Sequence, residues 1–255
     1  MMVAPRRSFC TLLIAAVLFA AAPARAAEKV DLLLVLAADV SRSVDDQKFQ
    51  LQREGYATAI TDPRVLDAIR SGPHGRIALC FVEWSGLGAQ KLVVGWHMIG
   101  DAKSAADFAA QIRTAPRAFA DRTSISGGID FAASQLETAP YESSRRTIDV
   151  SGDGTNNSGR DVTHARDAAL AKGITINGIV ILSETPLPWN PEHTNPPGGL
   201  ANYYRNNVIG GPGAFVMTAE DFGSFGKAMI GKMIAEVAAG PGARRAELPQ
   251  GAAPR

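Results

Sequence analysis

The chain has 255 residues with 26 basic and 25 acidic side chains, a formal net charge of +1, and 46% hydrophobic residues. A chain of this length can bury one large core without disulfide bonds. Its balanced charge, with no basic patch, argues against nucleic acid or anionic lipid as a partner. The composition therefore gives no support to these two classes of partner.

The first 26 residues have the features of a signal peptide. Arg6 and Arg7 precede an apolar stretch over residues 12–22, which is too short to span a bilayer, and residues 24–26 form a small-x-small cleavage pattern. The segment holds three arginines and no acid, so its removal changes the net charge from +1 to −2. It also removes Cys10 and leaves Cys80 as a lone, buried thiol. We expect a periplasmic or secreted protein with no transmembrane segment after cleavage.

Strand-like and helix-like runs alternate along the remaining chain. This alternation predicts an α/β fold with a doubly wound, mostly parallel central sheet. Two runs, over 76–84 and 91–96, are joined by a connection too short for a crossover helix, which predicts an antiparallel hairpin at one edge of that sheet. Strands are predicted over 30–38, 76–84, 91–96, 147–150, 175–182 and 214–217, and helices over 45–61, after Pro63, and over 104–114, 126–138, 161–172 and 221–239. One domain is thus expected over residues 27–239, followed by a disordered tail over residues 240–255.

The segment over residues 183–213 interrupts this alternation. It is too long for a simple connection between the last two strands. Its first half contains five prolines and Trp189, and its second half, 200–208, can form a short helix with Tyr203 and Tyr204. Because the segment leaves the carboxyl end of a parallel strand, we expect it at the edge of the sheet where binding sites form. Packing for its own stability and contact with a partner are both open roles.

Polar side chains follow the first predicted strand at this edge. Asp39, Ser41 and Ser43 lie on the turn between strand 30–38 and the next helix. Thr123 lies in a polar loop before the helix over 126–138, and Asp153 follows a second apolar strand. The carboxyl ends of neighbouring parallel strands meet at one edge of the sheet, so these hard oxygen donors should converge. Mg²⁺ prefers such ligands and keeps several waters.

The order Asp-x-Ser-x-Ser, then Thr, then Asp-Gly resembles the metal-ion-dependent adhesion site (MIDAS) of von Willebrand factor type A domains. The resemblance spans residues 30–239 and is greatest to an exported bacterial family of undefined function. It implies an antiparallel edge strand in the sheet and a Mg²⁺ or Mn²⁺ ion. The hydroxyls would bind that ion directly and the aspartates partly through water, while a protein partner's acidic side chain completes the coordination sphere. The resulting hypothesis is a metal-dependent protein-binding module rather than an enzyme.

Other interpretations of these residues also exist. Ser43 with Asp46 matches a helix capping box, and Asp153-Gly154 is a common turn signal. An EF-hand beginning at Asp149 is rejected because its twelfth position is Arg160, where a bidentate Glu is needed. The sequence contains neither a Gly-x-Ser-x-Gly elbow nor a His-Glu-x-x-His motif, and its four histidines show no ligand spacing. A metal-assisted hydrolase or phosphatase, and a structural module whose metal only ties loops together, remain as alternatives.

Overall fold

Strands and helices alternate in the computed structural model, which describes residues 27–183 and 186–238. The signal peptide predicted over residues 1–26 and the tail predicted over residues 240–255 lie outside these residues. The strands are β1 (Glu28–Lys29), β2 (Leu33–Asp39), β3 (Ile77–Trp84), β4 (Gln90–Ile99), β5 (Tyr141–Glu142), β6 (Arg146–Gly152), β7 (Thr175–Ile181) and β8 (Val216–Ala219). The helices are α1 (Asp46–Thr61), α2 (Pro63–Arg70), α3 (Ala102–Thr114), α4 (Ile125–Glu137), α5 (Val162–Ala171), α6 (Pro191–Thr194), α7 (Leu200–Asn207) and α8 (Phe225–Ala238).

The central sheet of the described chain has the strand order β4-β3-β2-β6-β7-β8. The β3–β4 pair is antiparallel, and the other neighbours in this sheet are parallel. The predicted fold class, an α/β sheet with one antiparallel edge strand, is therefore confirmed. The chain passes from β2 to β3 on one side and later returns to β6 on the other. The carboxyl ends of β2 and β6 thus form a topological switch point, where α/β proteins bind ligands.

Each face of the sheet is covered by helices. Along β2 the side chains alternate: Leu34 and Leu36 pack with α1, α2, α3 and α8, whereas Leu33 and Val35 pack with α4, α5 and α7. Because successive strand residues point to opposite faces, a strand buried on both sides reads as one continuous apolar run. The apolar sequence before Asp39 therefore fixes β2 at the centre of the fold. Among the described residues, no helix is long and apolar enough to cross a membrane.

Local hydrogen bonds move several boundaries away from the predicted ones. Helix α1 is capped by Asp45, which accepts from the Lys48 amide at 2.9 Å, so the alternative interpretation of Ser43 as the helix cap is wrong. Helix α8 begins later than predicted because the Ser224 amide donates to Asp221 at 2.6 Å and closes a turn. Strand β4 extends to residue 99, with an irregular register against β3. The short pair β1–β5 was not predicted.

A buried ionic cluster lies on the α8 side of the sheet. Lys232 Nζ lies 2.7 Å from Asp149 Oδ1 and also pairs with Glu236, and all three side chains are almost fully buried. Asn177 donates to Glu236 at 2.8 Å. Burial, and next the charge of Glu236, raise the pKa of Asp149 to about 7 although Lys232 opposes the shift. Asp149 therefore faces helix α8, which agrees with the rejection of a calcium loop there.

The opposite edge of the sheet, where β2 and β6 begin, holds both ends of the described chain. Strand β1 pairs with β5, which immediately precedes β6. Arg145 donates to the backbone oxygen of Val237 at 3.1 Å and to that of Glu236, and so caps the end of α8. These contacts hold residues 28–29 and the end of α8 at the sheet edge opposite the switch point.

Candidate metal centre

Four of the five predicted site residues form one chain of hydrogen bonds at the switch point. Asp39 ends β2 and accepts from the Ser41 amide at 2.7 Å. The Ser41 and Ser43 hydroxyl oxygens lie 3.1 Å apart, and Ser43 donates to Asp153 Oδ1 at 2.6 Å. Asp153 directly follows β6. The strand ends and the β2–α1 turn therefore bring two carboxylates and two hydroxyls together, as the sequence predicted.

Thr123 lies in the loop before α4, and no hydrogen bond joins it to the other four residues. Its amide donates to Asn157 Oδ1 at 2.9 Å, and the Asn157 and Ser158 amides donate to its carbonyl oxygen. Its hydroxyl oxygen lies 3.2 Å from His193 Nε2. Asn157 thus fixes the position of Thr123, while the polar contact of the hydroxyl is with a histidine from the segment after β7.

The two carboxylates of the site are buried and each is left with an unsatisfied oxygen. Asp39 is 0% and Asp153 is 1% exposed, and among the described residues the Oδ2 atom of each has no hydrogen-bond partner. Burial raises the pKa of Asp39 well above its usual range, and the nearby Asp153 charge raises it further. Burial also raises the pKa of Asp153, partly opposed by the hydrogen bond from Ser43. Buried polar atoms rarely stay unpaired without a functional reason.

Positive side chains hold the β2–α1 turn in place. Arg117 Nη2 donates to the carbonyl oxygens of Val40, Ser41 and Val44 at 2.9, 3.1 and 2.6 Å. Lys48 Nζ donates to the Ser43 carbonyl oxygen at 2.9 Å. These bonds give hydrogen-bond partners to carbonyl oxygens in a largely buried turn, and they hold the backbone that carries the two serine side chains.

His193, in α6, is the site residue that the sequence did not reveal. It is 4% exposed, and its Nδ1 lies 3.3 Å from the Thr155 hydroxyl and 3.4 Å from Asn157 Nδ2. Burial lowers its pKa, opposed by the charge of Asp153. Gly154 makes room for the ring, since a Cβ there would overlap Nε2. The available signal was positional: His193 is the one histidine in the segment over 183–213, which was expected at this edge.

A cleft of about 260 Å³ opens beside the site. Arg42 and Arg122 line it and are exposed, and within the described chain neither has a salt-bridge partner. Trp189, 72% exposed, forms part of its wall. The cleft also contains Ser43, Thr123, Asp121, Asn157, Leu187, Asn190 and His193. An anionic group entering this cleft would meet two guanidinium groups next to the hydroxyls of the site.

The donor set can be tested against a bound cation. Among residues 27–183 and 186–238, no three His, Cys, Asp or Glu side chains form a cluster that could hold a metal ion. A cation here therefore depends on hydroxyl oxygens in addition to two carboxylates. The unsatisfied Oδ2 atoms of Asp39 and Asp153 fit such an ion, since a divalent cation would neutralise both buried charges.

Comparisons with solved structures show which proteins share this fold. Proximal thread matrix protein 1 from the mussel byssus, solved with a zinc-occupied MIDAS motif, matches with a TM-score of 0.54 and 17% identity over 82% of this chain. The pilus adhesin SpaC from Lactobacillus rhamnosus GG matches with a TM-score of 0.56 and 10% identity over 83% of this chain. The matches span 48% of the byssus protein and 31% of the adhesin. At sequence identities this low, the similarity shows a shared fold only.

A search of curated proteins found no match to this chain. A family model described as "Protein of unknown function (DUF1194)" matches residues 29–241, which is most of the chain. This match and the structural neighbours confirm the resemblance inferred from the sequence. The chain belongs to the DUF1194 family, and its fold is that of a von Willebrand factor type A domain.

Proposed function

We propose that this protein is a divalent-cation-dependent protein-binding module that works in the periplasm or outside the cell. The ion would be Mg²⁺ or Mn²⁺, held by Asp39, Ser41, Ser43, Thr123 and Asp153. The observation that carries the proposal is the pair of buried carboxylates with unsatisfied Oδ2 atoms, linked through two serine hydroxyls at the switch point. A structural turn would not need two buried carboxylates that each leave an oxygen without a hydrogen bond from the described residues.

The residues of the site have distinct parts in this proposal. Asp39 and Asp153 supply the negative charge, and Ser41, Ser43 and Thr123 supply neutral oxygens. When bound, the cation supplies an electrophilic centre that two carboxylates and three neutral hydroxyls only partly shield. Arg117 and Lys48 hold the backbone of the turn, and the two serine hydroxyl oxygens lie 3.1 Å apart on it. Because the turn is already ordered, less conformational entropy is lost when the cation binds.

The surroundings of the site favour an acidic protein partner. Arg42 and Arg122 line the cleft without salt-bridge partners among the described residues, so they are available to a carboxylate. Trp189 is the kind of large, exposed side chain that often dominates binding energy. A carboxylate can thus meet the cation and the guanidinium groups together, while the apolar wall selects among acidic partners.

Metal titration provides the first test. Metal-stripped protein should bind one Mg²⁺ or Mn²⁺ ion in isothermal titration calorimetry, and Asp39→Ala should abolish that binding. Asp121→Ala is the matched control, because Asp121 lines the same cleft but lies outside the proposed ligand set. Unchanged binding in Asp39→Ala would remove the basis of the proposal.

Partner binding provides the second test. Immobilised wild-type protein should retain an exported protein with Mg²⁺ but not with EDTA, and Asp39→Ala should not retain it under either condition. Changing the partner's acidic residues to amides should release it, and Trp189→Ala should weaken binding without changing metal affinity. Retention that is equal in Mg²⁺ and EDTA would contradict a metal-dependent contact.

Export of the chain is tested separately, by mass spectrometry of protein from the native host. The mature chain should begin at residue 27 or close to it. A chain that retains residue 1 would contradict a periplasmic or secreted location.

A metal-assisted hydrolase is the second candidate, and one observation favours it. The Thr123 hydroxyl oxygen lies 3.2 Å from His193 Nε2, which is within the range of a nucleophile–base pair. The other ring nitrogen, however, contacts Thr155 and Asn157 rather than a carboxylate that would stabilise an imidazolium. We therefore expect no metal-dependent turnover of generic phosphate or carboxylic esters. Turnover that is lost in Asp39→Asn would favour the hydrolase instead.

A further inference from the structure

We propose that Asp149, Glu236 and Lys232 form a proton-binding site inside the fold, and that this site makes the chain more stable in acidic than in alkaline surroundings. The cluster lies between β6 and α8, and none of its residues lines the cleft beside the candidate metal centre. The two carboxylates would hold one proton between them. Loss of that proton would leave an uncompensated negative charge in the core.

The cluster contains one more acidic than basic side chain. Lys232 Nζ lies 2.7 Å from Asp149 Oδ1 and also contacts Glu236 Oε1, and the three side chains are 0–1% exposed. With all three groups ionised, the two carboxylates would outnumber the single ammonium group. A buried charge without a partner is strongly unfavourable, and two carboxylates that share one site do not both ionise readily. The charge count therefore favours a state in which one carboxyl group is neutral.

The hydrogen bonds around the cluster assign the proton to Asp149. Glu236 Oε1 accepts from Asn177 at 2.8 Å in addition to its contact with Lys232. Within the described chain the Asp149 carboxylate has the ammonium group alone, and its neighbour in strand β2 is the apolar Leu36. A carboxylate with few donors is destabilised relative to its neutral form. Burial, and then the charge of Glu236, raise the pKa of Asp149 to about 7.

The other charged and titratable neighbours do not balance the cluster. On α1, burial raises the pKa of Tyr56 well above its usual range and the charge of Asp149 raises it further, so its hydroxyl stays neutral. Arg145 donates to the backbone oxygen of Glu236, and its charge acts on both Asp31 and Glu236. Among the residues that the structure describes, the ammonium group from α8 is thus the one cation within salt-bridge distance of the two carboxylates.

The direction of the pH effect follows from the two protonation states. An unfolded aspartate loses its proton near about pH 4, whereas the folded chain keeps the proton on Asp149 to about pH 7. The folded chain binds the additional proton between these values, so its stability falls as pH rises through that window. Through this group alone, the unfolding equilibrium constant should rise about a hundredfold from pH 5 to pH 8 and change little at higher pH.

The experiment measures urea unfolding of the metal-stripped protein from pH 5 to pH 9. Asp149→Asn imitates the protonated state, so the unfolding constant of wild type relative to this variant should rise about a hundredfold from pH 5 to pH 8. Glu236→Gln leaves one acid and one base, so it should remove the same pH dependence, and the double variant should remove no more. Asp107→Asn, at an exposed pair with Lys103, is the control and should follow wild type.

Comparison with wild type separates this cluster from the acids of the candidate metal centre, because the contributions of distant groups to stability are additive and cancel. Infrared spectroscopy detects the proton directly, through the carbonyl stretch of a neutral carboxyl group. The wild-type band should lose intensity as pH rises through 7, and Asp149→Asn should lack this pH-dependent part.

Each outcome decides the proposal without reference to a cation, so the proposed function is judged separately. A wild-type to variant ratio that stays constant across the pH range, in either amide variant, overturns the proton site. If one amide variant fails to fold, the other gives the same test. A wild-type spectrum without any neutral-carboxyl band at pH 6 overturns the proposal even if both variants unfold.

Discussion

The Asp39→Asn variant should be more stable than the wild type without metal and less stable than the wild type with metal. Asp39 and Asp153 are both buried, and in metal-stripped protein their charges repel each other in a site that raises both pKa values. Asn has nearly the same shape and can still accept from the Ser41 amide. Asp39→Asn should therefore stabilise the metal-stripped chain at alkaline pH, and it should abolish any stabilisation by metal.

The magnitudes follow from linkage. A raised folded-state pKa means that the folded chain binds more protons than the unfolded chain between about pH 4 and the raised value, so the free energy of unfolding falls as pH rises through that window. The fall is at most about 1.4 kcal/mol per pH unit for each titrating carboxylate. In wild type, metal at 100 times its Kd should restore about 2.7 kcal/mol. For a domain of this size that corresponds to roughly 5–11 °C in Tm.

Thermal unfolding followed by circular dichroism from pH 5 to 9, with EDTA or with saturating metal, measures both effects. Asp39→Asn should melt above wild type in EDTA at pH 8 and below it in metal. Asp121→Asn is the control and should follow wild type in both conditions, because Asp121 is exposed. The reasoning is refuted if wild type in EDTA is the more stable protein across this pH range, or if metal raises the Tm of both proteins equally.

Two further predictions concern the buried ionic cluster on the α8 side of the sheet and the packing beside Asp39. Lys232→Met should lower the free energy of unfolding in urea by about 3–5 kcal/mol, because it leaves the buried Asp149 carboxylate without the Lys232 ammonium group at 2.7 Å. The control Lys103→Met removes an exposed ion pair with Asp107 and should change stability by less than about 0.5 kcal/mol. Equal effects of the two substitutions would contradict the argument from burial. Gly152→Ala should weaken metal binding measured by calorimetry, because the added Cβ would overlap Tyr204 Oη and crowd Asp39 Oδ2. Adding Tyr204→Phe should recover part of the affinity. Full affinity in the single variant would show that Tyr204 can move aside.

Much of the fold could be predicted because one physical signal dominated. Strand β2 is buried on both faces, so its apolar run ends sharply at Asp39, and β6, whose residues are also mostly buried, ends directly before Asp153. The parallel order of these strands then brings their carboxyl ends together. The meeting of Asp39, Ser41, Ser43 and Asp153 thus follows from sequence pattern and sheet geometry. A short connection was enough to predict the antiparallel β3–β4 pair.

The remaining features depend on contacts between distant parts of the chain. His193 belongs to a helix of only four residues, too short to show periodicity, and it reaches the site through Thr123, 70 residues away in sequence. The sequence pattern at Ser43 was compatible with a helix cap as well as with a site ligand. In the structure Asp45 caps helix α1, and the Ser43 hydroxyl donates to Asp153 instead. Local rules could not rank these two interactions.

The arrangement of the two ends of the described chain has a practical consequence for laboratory work. Residues 28–29 and the end of α8 are held at the sheet edge opposite the cleft, through the β1–β5 pair and through Arg145. An affinity tag, fluorophore or bead linker attached at either end would therefore project away from the cleft. Immobilised protein should present its cleft to solvent in a uniform orientation, so surface-based kinetic assays of partner capture can use either attachment point without masking the site.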